Sequence, residues 1–151
     1  MKKIEILFLT ILVLIFVIVG GYKVYSTGTN DVSHVTQTVY SLPNGFYVMD
    51  LAVIADTTGA VSNYTTTKTI DGFVYMIETI PGSPTPSSYS LTLLDSNSYD
   101  ISTPGGGLAS RSTSATQIIY PYLPVQGTLT LTASGVSTHL GQFKVRIFYY
   151  R

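Results

Sequence analysis

Apolar and polar positions follow two different rules along this chain. From Ile6 to Tyr22 it reads ILFLTILVLIFVIVGGY, seventeen residues without a charge. Thirteen of the first fourteen are Ile, Leu, Val or Phe. Such a run predicts a helix of about 26 Å at 1.5 Å per residue. With its flanking residues that is enough to span a bilayer core of roughly 30 Å. Its apolar residues sum to roughly −4 to −8 kcal/mol for insertion, an upper bound because the per-residue values hold at the helix centre. Beyond Ser26 the rule changes to short apolar or alternating runs divided by Gly, Pro, Asn and Asp, with no sustained helical period.

Those runs predict eight strands: 32–40, 46–55, 60–70, 73–80, 88–95, 117–120, 127–133 and 142–150. Phe46 to Ala55 is nearly all apolar, with Asp50 its only charge, and reads as a strand buried on both faces. The Thr-rich stretch 60–70 suits an exposed or edge strand. In 89–93 the alternation puts Tyr89, Leu91 and Leu93 on one face, with Ser90 and Thr92 on the other. In 142–150 Phe143, Val145, Ile147 and Tyr149 share a face, opposite Lys144 and Arg146. Between strands, Pro43-Asn44-Gly45, Asp56 to Gly59 and Asp71-Gly72 read as turns. Segment 81–87 (PGSPTPS) and the glycine-rich 104–114 read as loops, and 134–141 as a hairpin loop. Pro121 and Pro124 break the strand that starts at Gln117. Strands at about ten-residue spacing predict an all-β fold, an antiparallel sandwich or jelly roll. The division expected is an anchor helix at 1–25, a linker at 26–31 and one β domain at 32–151.

The expected anchor comprises Ile6, Leu7, Phe8, Leu9, Ile11, Leu12, Val13, Leu14, Ile15, Phe16, Val17, Ile18 and Val19. Lys2 and Lys3 before it, and Tyr22, Lys23 and Tyr25 after it, suit the two membrane interfaces. No A-x-A pattern follows the run, so an uncleaved signal-anchor is expected, with the N-terminus cytoplasmic and the β domain outside. A cleaved signal peptide is one alternative. A filament-core helix is another, since Ile4-Glu5 before the apolar run loosely resembles the start of mature type IV pilins.

Composition narrows the function. Only 11% of residues are charged, against about a quarter in an ordinary soluble domain, which suits a domain packed among neighbours. From Val24 onward five basic residues face seven acidic ones, a net of −2, so no basic stripe invites nucleic acid. Without cysteine there is no disulfide and no thiolate chemistry.

Candidate chemistry is sparse. His34 and His139 stand apart, and no G-x-S-x-G elbow accompanies them. Gly105, Gly106 and Gly107 lack the Gly-Lys-Ser/Thr of a phosphate loop. Asp95 to Asp100 spaces oxygen groups as a calcium loop does but lacks its glycine and closing glutamate, so it reads as a self-capped turn. Asn63-Tyr64-Thr65 is a sequon of the kind a Thr-rich chain makes by chance. Glu78 reads as the outward position of an alternating strand. No catalytic residue, metal, cofactor or small-molecule substrate is expected.

Several segments in 68–148 resemble small β-rich virion-associated proteins of bacteriophages. They are Asp71-Gly72-Phe73-Val74, Glu78-Thr79-Ile80-Pro81-Gly82, Pro86 with 89–95 (YSLTLLD), Tyr99-Asp100-Ile101, Leu108-Ala109-Ser110-Arg111-Ser112, and 125–131 (VQGTLTL). The resemblance implies a structural virion component without enzymatic activity. The added apolar run departs from that family, whose members are soluble, and fits a virus with a membrane beneath its shell. The expectation is a minor capsid protein joining that membrane to the shell. Its partners would be the bilayer and coat proteins or copies of itself, met through loops bearing Pro84, Pro86, Gly105, Gly106, Gly107 and Arg111. A membrane-anchored binding module or filament subunit at a cell envelope is the alternative.

Overall fold

The computed structural model describes residues 33–86, 88–103, 111–112, 116–136 and 140–151. The expected anchor and linker, Gly105 to Gly107 and His139 lie outside these. Among the described residues no helix is long and apolar enough to cross a membrane.

Among the described residues ten strands form in chain order: β1 (His34–Ser41), β2 (Phe46–Ile54), β3 (Val61–Thr65), β4 (Gly72–Pro81), β5 (Ser88–Leu94), β6 (Arg111–Ser112), β7 (Gln117–Ile119), β8 (Leu123–Val125), β9 (Thr130–Ser134) and β10 (Gln142–Tyr150). All pairings are antiparallel. The first sheet runs β1-β2-β10-β4, with β7 and β8 both on the far side of β4. The second runs β3-β9-β5-β6. The two face each other as a β-sandwich, and their inner side chains make one apolar cluster.

The alternation read from the sequence sets those inner faces. Phe143, Val145, Ile147 and Tyr149 of β10 are buried, as are Tyr89, Leu91 and Leu93 of β5. Met49, Leu51 and Val53 of β2 meet Leu131 and Ala133 of β9 in the same cluster. Each fully buried Leu or Ile stabilises the fold by about 1.5–3 kcal/mol through area removed from water.

Local expectations hold in part. Pro43-Asn44-Gly45 does turn β1 back onto β2, with Asn44 and Gly45 at φ 64° and 76°. The strand expected over 60–70 stops at Thr65. There the Thr66 hydroxyl accepts from Leu129 N and donates to the Lys68 carbonyl, which turns the chain away. Asp71-Gly72 does not close a hairpin, because β3 and β4 belong to different sheets. Gly72 instead opens β4 where a Cβ would stand 2.1 Å from the Tyr150 carbonyl oxygen. The 134–141 connection likewise crosses from β9 in the second sheet to β10 in the first. Past Pro121 the chain rejoins the ladder as β8, with Pro124 opposite Phe73. A proline on an outermost strand forfeits no ladder bond.

Candidate interaction face

β1, β2, β10, β4 and β7 turn alternate side chains outward, and the register stacks them in rows. One row holds Thr38, Asp50, Arg146, Glu78 and Ile118. Asp50 is only 4% exposed although it points away from the core. Its two oxygens accept from Arg146 Nε at 2.8 Å and Nη2 at 3.1 Å, and Lys144 Nζ lies 3.3 Å away. Glu78 reaches the same guanidinium at 3.6 Å. Burial pushes the Asp50 carboxyl up, but the hydrogen bonds and charge of Arg146, then of Lys144, together outweigh it and hold the group below its ordinary value. The Asp50 hydrogen bond pushes the Arg146 guanidinium up in turn. Two carboxylates therefore converge, clamped by one arginine, which makes a rigid ionic strip.

Beside the strip the face becomes aromatic. Phe46 packs edge-on against Tyr75 at 5.7 Å and Tyr150 at 5.8 Å. Phe73 stacks on Tyr150 at 5.5 Å, and Tyr75 meets Phe148 at 6.0 Å. A register shift between Phe148 and Tyr149 brings Tyr75 into this group. Tyr40 and Leu42, both exposed, flank a shallow groove with Val48, Arg146 and Phe148. On the far edge Tyr120 and Tyr122, 53% and 62% exposed, stack at 6.1 Å where the chain bulges between β7 and β8. Behind the face Tyr149 stacks on Tyr47 at 5.4 Å, and burial pushes its phenol up.

This face carries Tyr, Phe, Met76 and Arg, the residue types that protein interfaces concentrate, beside an ionic strip whose charges pair with one another. It supplies apolar area and fixed hydrogen-bonding groups, and no nucleophile–base pair. No family model, curated protein or solved structure matches the chain.

The loops expected to make contacts fare differently. Pro84 is exposed, but Pro86 is buried. Their segment is tied to β10 by Gly82 N to the Gln142 carbonyl and Gln142 N to the Pro84 carbonyl, both 2.8 Å. It continues the ladder rather than standing free. Arg111 lies in β6, paired with Tyr89 of β5. The Asp95 turn is self-capped, with Oδ1 accepting from Asn97 N and Tyr99 N at 2.9 Å each. Asp56 caps its turn likewise, accepting from Ala60 N at 2.9 Å and the Thr58 hydroxyl at 2.7 Å. Those bonds, Ala60's first, hold its carboxyl below the ordinary range. His34 is exposed at the start of β1, and Asn63 is exposed in β3. Sequence reasoning missed the aromatic face. Its signal was Phe148-Tyr149-Tyr150, apolar on both sides of one strand.

Proposed function

We propose that the chain is a membrane-anchored structural protein of a virion, a non-enzymatic tether between a lipid membrane and the protein shell around it. The observation that carries this reading is the strand order. From β2 onward the chain crosses between sheets so that β2-β10-β4-β7/β8 interleaves with β3-β9-β5-β6. That is the order of a jelly roll, the architecture of viral coat domains, and also of lectins and cupins. Fold alone does not choose among these roles. The apolar run at 6–22, the low charge and the resemblance of 68–148 to phage virion proteins favour the tether. Insertion of the run would hold one end in the bilayer. The aromatic face, with its ionic strip, would be the surface that coat proteins or further copies cover.

The test is fractionation of purified virions. The protein is expected to co-purify with them and to leave with the lipid on detergent extraction. Its absence from virions, or retention in a lipid-free shell, overturns the tether. A second reading, a binding module or filament subunit on a cell envelope, draws support from the stacked Tyr120–Tyr122 pair, a platform for a flat ligand. Neighbouring coat and packaging genes favour the virion, and envelope genes favour the second reading.

A further inference from the structure

A sheet edge presents unpaired backbone N–H and C=O groups, and folded proteins blunt such edges with charge, proline, bulges, brevity or cover. Among the described residues, three of the four edges here are managed. β6 is two residues long. The β7–β8 edge bulges at Tyr120 to Tyr122 and carries Pro124. β3 pairs irregularly with β9, and its Ser62 N donates to Ser33 Oγ, just before β1, at 2.9 Å. β1 has none of these devices. Its eight residues, HVTQTVYS, pair with β2 in unbroken register and include no proline, lysine or acid.

β1 is also nearly its own mirror. Val35-Thr36-Gln37-Thr38-Val39 reads the same in both directions. We infer that a second copy of this chain adds its β1 antiparallel to this edge, with Gln37 opposite Gln37, making one sheet continuous across two molecules. A dyad at Gln37 sets Val35 against Val39, Thr36 against Thr38, and His34 against Tyr40. Residues directly opposite in an antiparallel pair share a face, and these pairs keep inward with inward and outward with outward. Moving the dyad to Thr36 shortens the overlap, and moving it to Thr36 or Thr38 sets a valine against Gln37 and loses the Val–Val matches. Gln37 Nε2 is the buried side-chain nitrogen that lacks a partner among the described residues. The same side chain's Oε1 is held inward by Thr67, so the pairing rests on the open backbone edge and the matched neighbours. The pairing is independent of any role in a virion.

Because the chain has no cysteine, the register can be read by cross-linking. Full chain in detergent is prepared as two variants, Thr36→Cys and Thr38→Cys, and each is oxidised alone and then mixed. Directly opposite Cβ atoms come within about 5 Å, near disulfide reach, whereas diagonal ones stand about 7 Å apart. The mixture is expected to cross-link several-fold faster than either variant alone. Adding His34→Lys and Tyr40→Lys to both, which sets like charges opposite each other at two exposed positions, is expected to abolish that preference while leaving the circular dichroism unchanged. Equal rates in all three samples, absence of a cross-link, or a mixed cross-link indifferent to the lysines overturns the pairing.

Discussion

The two outward faces of the sandwich differ although the same alternation builds both. The second sheet turns out Asn63, Thr65, Ser90, Thr92, Thr130, Thr132 and Ser134, groups that water satisfies. Across its strands Thr65 Oγ1 meets Thr130 Oγ1 at 3.4 Å. The first sheet turns out five rings in mutual contact and a carboxylate held by two cations. The core needs neither arrangement, since the inner faces are complete without them. The contrast separates what folds the domain from what its surface leaves over, which the proposed function assigns to a partner.

Leu131→Ala, beneath both faces, sets the scale. It should cost about 2–5 kcal/mol in denaturant unfolding, by lost transfer and a cavity. Next comes Asp50→Ala, which leaves Arg146 and Lys144 facing each other without their anion. Both cations are about a third exposed, so the loss should be about 2 kcal/mol, less than for a wholly buried pair. A hydroxyl-face change such as Thr132→Ala should stay within about 0.5 kcal/mol. If Thr132→Ala proves as costly as Asp50→Ala, the two faces are not distinct.

Acid should act on the ionic strip. The folded carboxyls of Asp50 and Asp56 lie below their ordinary 3.8. At a pH near or below that value the unfolded chain therefore binds more protons than the folded one. The stability they contribute is complete above 3.8 and is lost as pH falls from there through the folded values. Asp50→Asn should flatten part of this acid limb in a melting-temperature series, with little change in its slope at neutral pH. The change most telling for function is Phe46→Ser with Tyr150→Ser. Stability should fall by about 1–2 kcal/mol, while pull-down of coat proteins by the full chain is lost. Ser90→Ala with Thr92→Ala should leave the pull-down intact.

How much of this was legible beforehand varies by residue. Tyr89 to Leu93 and Phe143 to Tyr149 declared their inner faces because burial on one side of a strand writes a period of two into the sequence. Sheet membership was hidden. Asp71-Gly72 and 134–141 carry turn chemistry, which reports that the chain reverses locally and says nothing about which strand it meets next. β8 was obscured by Pro121 and Pro124, which an outermost strand tolerates. The Asp50–Arg146–Glu78 strip joins residues up to 96 positions apart, and only the order β2-β10-β4 brings them level. The self-capped turn at Asp95 was legible because all its partners lie within four residues.

The bare flank of β1 also fixes a posture. A dyad through antiparallel strands of one sheet stands perpendicular to that sheet, so both copies present their rings on the same side. In that pair the two polypeptides enter the shared ribbon from opposite directions, at points about 20 Å apart, since His34 of one copy stands opposite Tyr40 of the other, six residues along the strand. One flat bilayer can receive both leading segments symmetrically only if it lies parallel to the sheets. On the proposed tether the pair would recline on the lipid like a tile, and leaving the doubled aromatic surface for the shell would put the hydroxyl side down.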